Sequence, residues 1–215
     1  MRYKLVIFDL DGTILNTLDD LTNSLNYALL KSNLPKRKQD EVRSFLGDGI
    51  KKLVERGVPK CTSQETINTV LNDFIVHYKD HNSDYTKPYD GIINLLNILK
   101  ENGVLTAVVS NKADYAVQIL CNNYFRNSFD VIVGEKPEVR KKPAPDAVLN
   151  VLDQLNISRQ NAIYIGDSEV DILTAANAGM DCICVDWGFR TRDQLIKAGA
   201  KKIVSEPEYI LKEIF

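Results

Sequence analysis

Lys4-Leu5-Val6-Ile7-Phe8-Asp9-Leu10-Asp11-Gly12-Thr13 is the stretch whose reading decides the fold. Its apolar run, mixing β-branched and aromatic residues, has the character of a strand buried on both faces, as in the middle of a parallel sheet. The chain then turns at Gly12. Asp9 and Asp11 would stand where that strand ends, and two like charges so close resist joint ionisation unless a cation or a proton intervenes. A divalent metal ion is the expected partner.

Working outward, the pattern changes from strand to helix after Thr13. Leu18, Leu21, Leu25, Ala28 and Leu29 recur at spacings of three and four, with Thr17 as the expected N-cap. A second helix is expected from about Ser63 to His81, striped by Ile67, Val70, Leu71, Phe74 and Tyr78. Between them lies the turn Arg43-Ser44-Phe45-Leu46-Gly47-Asp48-Gly49, followed by a helical pattern from Ile50 to Arg56. No strand pattern interrupts residues 16–86, which therefore read as a small all-helical insert. From Pro88 onward, helices and strands alternate, the signature of a parallel sheet with helices on its faces. Strands are expected at Val104–Val109, Asp130–Val133, Ala162–Ile165 and Cys182–Val185, giving five parallel strands with the first. The fold class is a doubly wound, Rossmann-like α/β core over residues 1–15 and 87–215. The helical insert of residues 16–86 is expected to cap its sheet edge.

Composition narrows the partners. Among 215 residues, 27 Lys and Arg face 29 Asp and Glu for a net charge of −2, too balanced for a nucleic-acid or anionic-membrane binder. Small solutes fit better. No apolar run approaches membrane-spanning length and no cleavable leader pattern precedes Asp9, so a cytoplasmic protein is expected. Cys61, Cys121, Cys182 and Cys184 show no C-x-x-C spacing and are expected as reduced, mostly buried thiols, the last two on opposite faces of one strand. His77 and His81 stand four apart, a metal-gripping spacing, but no further ligand set accompanies them and zinc is not expected.

In an open α/β sheet, ligands bind beyond the carboxyl ends of the strands. Polar clusters follow three of the expected strands: Asp9 with Asp11, Ser110-Asn111-Lys112, and Gly166-Asp167-Ser168-Glu169-Val170-Asp171. Lys141-Lys142-Pro143-Ala144-Pro145 lies in a fourth loop. Converging carboxylates suit magnesium, and a hydroxyl, backbone amides and a lysine suit a phosphoryl group. With D-x-D-G-T at 9–13, S-N-K at 110–112, K-P-x-P at 142–145 and G-D-x-x-x-D at 166–171 in order, the chain resembles phosphatases of the haloacid dehalogenase superfamily. The helical insert with Arg43 and Gly47-Asp48-Gly49 in its turn is similar to the phosphoglycolate phosphatase group.

That resemblance implies a magnesium-dependent phosphomonoesterase acting on a small phosphorylated metabolite. Asp9 would attack phosphorus to form an aspartyl-phosphate, and Asp11 would protonate the leaving alkoxide and then activate water. Magnesium would be held by Asp9, Asp167 and the backbone carbonyl of Asp11, with Asp171 in support. Ser110, Asn111 and Lys142 would hold the phosphoryl group, and Gly12 would let the backbone pass close. Arg43, Gly47, Asp48 and Gly49 are the candidate substrate contacts of the insert. Trp187-Gly188-Phe189-Arg190 is read as core packing and a turn. The rivals are a pyrophosphatase or phosphosugar mutase of the same superfamily and, from another class, a catalytically silent phosphate-binding module.

Overall fold

A computed structural model describes residues 2–215. The strands are β1 (Leu5–Phe8), β2 (Leu15–Asn16), β3 (Lys87–Pro88), β4 (Leu105–Ala113), β5 (Val131–Glu135), β6 (Ala162–Gly166), β7 (Asp181–Val185) and β8 (Ile203–Val204). The helices are α1 (Leu18–Lys31), α2 (Gln39–Phe45), α3 (Ile50–Gly57), α4 (Gln64–Asp80), α5 (Ile92–Glu101), α6 (Asp114–Tyr124), α7 (Asp146–Leu155), α8 (Glu169–Ala178), α9 (Arg192–Lys197) and α10 (Glu208–Ile214). The chain divides into two compact units, Met1–Leu15 with Pro88–Phe215, and Asn16–Lys87.

The first unit carries a sheet in the order β5-β4-β1-β6-β7-β8, every neighbouring pair parallel. β1 is central because all four of its residues are apolar and buried, so both faces can be covered. Val6 and Phe8 join one core with residues of α5, α6 and α10, while Leu5 and Ile7 join the other with residues of α7 and α8. Strand order reverses at β1, the position where such sheets form their ligand crevice. The sheet has six strands where five were expected. The sixth, β8, is two residues long and too short to show an alternating pattern. β4 also runs past Val109, through an irregularity in its pairing with β5, as far as Ala113.

Cys182 and Cys184 do not face opposite ways. Two residues apart on β7, they share a face, and a hydrogen bond between the thiols is the first cause, ahead of burial, that holds the Cys182 pKa well above the usual range. All four cysteines are free, Cys61 exposed and Cys121 and Cys184 buried. No helix among the described residues is long and apolar enough to cross a membrane.

The second unit packs α1 to α4. The expected α1 stripe is buried, as are Val70, Phe74 and Tyr78 of α4. Ser63 caps α4 through its hydroxyl, which accepts from Thr66 N at 3.1 Å. Thr17 precedes α1, but its hydroxyl makes no capping bond, and the Asn16 side chain accepts from Leu18 N instead. Asp20, 1% exposed, is the unit's buried charge. It accepts from the backbone amides of Tyr85 and Thr86 and from the Thr86 hydroxyl at 2.7 Å, fastening α1 to the segment that leaves the unit. His77 is stacked between Tyr27 and His81 with ring centroids 4.0 and 4.2 Å away, and its Nδ1 lies 3.0 Å from the Ser24 hydroxyl.

Candidate active site

Register brings the polar strand ends together. Phe8 is level with Val108 on one side and Ile165 on the other, so Asp9, Ser110 and Asp167 emerge at neighbouring points of one edge. Asp9 directly follows β1, and its amide still donates to Ile165 O, extending the ladder into the site.

Asp9, Asp167 and Asp171 form a buried group in which each offers a carboxylate oxygen, all within 4.8 Å of one another. Lys142, itself buried, sends its ammonium to Asp9 Oδ1 at 2.8 Å and to Asp171 Oδ1 at 2.7 Å. Burial opposes the Lys142 charge, yet the Asp171 and Asp9 carboxylates outweigh it and hold the lysine pKa well above its usual value. One ammonium cannot balance three carboxylates. Burial, reinforced by Asp171 and Asp11 and opposed by Lys142, pushes Asp9 up to about 7. Burial followed by the Asp171 and Asp9 charges raises Asp167 well above the carboxylate range. Such a surplus of hard oxygen donors in a buried site fits a divalent cation of the magnesium type.

Asp171 has two functions in this arrangement. Its Oδ2 accepts from the Ser168 amide and hydroxyl at 3.1 and 2.7 Å, closing a capping box on α8, and its Oδ1 meets Lys142. Gly166 is required beneath it, because a Cβ there would come within 2.3 Å of the Asp171 side chain. Asp167 is held by Phe189 N, which donates to Oδ2 at 2.6 Å. Gly12 has φ of +87°, and a Cβ on it would sit 2.3 Å from Asp167 Oδ2. Only glycine passes there. Gly188 is just as restricted, since its Cβ would meet Gly12 O and Asp167, so the turn Trp187-Gly188-Phe189 braces Asp167 as well as filling core space.

The Asp11 side chain lies outside the three-carboxylate group. Both of its oxygens receive Lys112 Nζ, at 2.9 and 3.1 Å. The Asn111 side chain accepts from Lys142 N at 2.8 Å and donates to Lys142 O at 3.1 Å. It thus brackets the main chain of the lysine loop, whose Lys142–Pro143 bond is cis. Ser110 is buried and does not cap α6, which begins after Ala113.

In the helical unit, Arg43 lies in the last turn of α2, and Gly47 and Gly49 take φ of +118° and +87° on either side of Asp48. Asp48 is ion-paired with Arg56 of α3. Two residues escaped the sequence reading. Lys112 was seen only as a motif member, and Tyr164, fully buried in β6, donates to Val109 O at 3.1 Å and accepts from Lys142 Nζ at 3.1 Å. A single tyrosine in an otherwise aliphatic buried strand is the signal that could have found it.

Residues 6–185 match the family described as haloacid dehalogenase-like hydrolase. The chain belongs to that family, and it is a phosphatase-type hydrolase within it. More narrowly, it is phosphoglycolate phosphatase-like. It is 32% identical to the phosphoglycolate phosphatase of Aquifex aeolicus, over 86% of each chain. It is 30% identical to a provisionally assigned pyrophosphatase of Caldanaerobacter subterraneus, over 100% of this chain and 93% of the other. The crystal structure of a provisionally assigned phosphoglycolate phosphatase from Lactobacillus delbrueckii subsp. bulgaricus matches with a TM-score of 0.96 at 39% identity, covering 100% and 99% of the two chains.

Proposed function

We propose that the protein hydrolyses a small phosphate monoester, phosphoglycolate first among the candidates, with magnesium as cofactor and an aspartyl-phosphate on Asp9 as intermediate. The observation that carries this reading is the junction of three buried carboxylates and one buried ammonium, with Lys142 Nζ 2.8 Å from Asp9 and 2.7 Å from Asp171. Asp9, Asp167 and Asp171 would hold the cation, together with the Asp11 backbone. When bound, magnesium supplies the positive charge that offsets the clustered carboxylates and the incoming phosphoryl oxygens.

The chain's own residues then divide the work. Asp9 attacks phosphorus and forms the covalent bond, so that one difficult displacement becomes two easier ones. Asp11, whose two oxygens here accept from Lys112, would in its protonated form give a proton to the leaving alkoxide and, then ionised, take one from the attacking water. Ser110 donates to a phosphoryl oxygen and Lys142 sets a fixed positive charge beside the transferring group. Asn111 serves indirectly by holding the Lys142 main chain. Arg43 and the Gly47-Asp48-Gly49 turn remain the proposed substrate-selecting contacts, in a region separate in sequence from the chemistry.

Phosphate release measured over phosphoglycolate, pyrophosphate, sugar phosphates and nucleotides, with and without magnesium, tests the reading. Phosphoglycolate is expected to turn over fastest and only with the metal, and Asp9→Asn is expected to release no phosphate. Preference for pyrophosphate would favour the activity named for the Caldanaerobacter relative. Unimpaired turnover by Asp9→Asn would refute the covalent route.

A further inference from the structure

A lysine ammonium has three donors, and in Lys142 each has an acceptor. Two are the carboxylates of Asp9 and Asp171, and the third is the phenol oxygen of Tyr164 at 3.1 Å. The phenol has one proton. Its nearest acceptor is Val109 O, also at 3.1 Å, with Asp171 Oδ1 farther off at 3.4 Å. Val109 O belongs to the peptide that leads into Ser110. Tyr164 stands on β6 and Val109 on β4, with β1 between them, so the ring reaches across the underside of the strand that delivers Asp9.

We infer that Tyr164 is a positioning residue for phosphate recognition: its hydroxyl ties Lys142 to the peptide preceding Ser110 and so fixes the spacing between the two. The inference rests on the reading that Ser110 and Lys142 hold the phosphoryl group. Of the three acceptors on Lys142, the phenol alone is uncharged. An incoming phosphate dianion competes with Asp9 and Asp171 for the ammonium by charge, while a neutral hydroxyl can keep its hydrogen bond as the carboxylates exchange partners. A phenol is neutral at ordinary pH and both donates and accepts, so the bonds to Lys142 and to Val109 O can be made together. A purely space-filling aromatic ring would need no such bonds.

Tyr164→Phe keeps the ring and removes only the hydroxyl. Its binding of inorganic phosphate, measured by isothermal titration calorimetry, is expected to weaken by about 10-fold, the scale of one hydrogen bond to a charged group. KM should rise in parallel. In a Lys142→Met background the same change should add almost nothing, because the hydroxyl acts through the lysine. Wild-type phosphate affinity in Tyr164→Phe, or a full additional loss in the double variant, would overturn the inference while leaving the phosphatase reading standing. If Lys142→Met itself bound phosphate and turned over normally, the underlying reading and the inference would both fall.

Discussion

At the scale of single residues, Asp9 links chemistry to stability. Burial lifts its pKa to about 7, whereas an unfolded chain titrates near ~3.9. Below that lower value both states are protonated and the group costs nothing. Between the two values the native state binds the extra proton, so stability falls as pH rises, and above about 7 the burial penalty is complete. Metal-free wild type is therefore expected to lose stability relative to Asp9→Asn as pH climbs from about 4 to about 7. Urea midpoints of both proteins across that range check this, and two parallel curves would contradict it. Lys112 is the second residue with a legible consequence. By gripping both oxygens of Asp11 it fixes the carboxyl proposed to serve the leaving group. Lys112→Met should lower kcat/KM for alkyl phosphates by about 10²-fold, the lower end of what a general acid supplies. p-Nitrophenyl phosphate, whose leaving group needs little protonation, should lose much less, and equal losses on both would remove the positioning role.

At the scale of elements, what the sequence disclosed depended on length. Long amphipathic helices such as α1 and α4, and the buried β1 and β6, declare themselves through periodicity because many residues repeat one environment. α9, α10 and β8 do not. They are six, seven and two residues long, held by one or two buried anchors, Leu195 in α9 and Ile210 with Ile214 in α10, and so short a segment has no period to read. β4 was cut short in the sequence reading for a different reason: Ser110, Asn111 and Lys112 look like a polar loop, yet they continue the strand because the site buries them. Thr17 illustrates a local rule overridden, since Asn16 took the capping bond and the threonine hydroxyl was left without a partner. The helical unit relies on a contact that no local pattern announces, the buried Asp20 carboxylate with its backbone and hydroxyl donors. Asp20→Ala strands those donors and should cost the unit roughly 3 kcal/mol. Chemical denaturation followed by hydrogen exchange of α1 to α4 would measure it, and a loss below about 0.5 kcal/mol, the level of an ordinary surface change, would mean the bonds are replaced by water.

For the whole molecule, the two compact units follow chain order: β1 precedes the stretch that carries α1 to α4, and the other strands of its sheet follow it. The carboxylate group was legible only in part: the family resemblance implied Asp9 and Asp167 with Asp171 in support, and the meeting of all three depends on α8 starting close enough to turn its first-turn acid inward. If the proposed cation binds these carboxylates, its binding is a property of the α/β unit alone, since all three belong to it. A ligand that binds the native but not the unfolded state stabilises by about 2.7 kcal/mol at a hundred times its dissociation constant. Magnesium should therefore raise protection from hydrogen exchange in β1, β4, β6 and α8, where the carboxylates and their anchors sit, and chelation should reverse it. The same addition should offset the deficit of wild type relative to Asp9→Asn at neutral pH, because wild type keeps the full ligand set and Asp9→Asn, one ligand short, gains little. Asp167→Asn removes one ligand without touching Lys142 and should lose most of the gain. A magnesium-induced gain that survives Asp167→Asn, or one centred on α1 to α4, would locate the cation elsewhere and break the link between the strand-end carboxylates and the proposed chemistry.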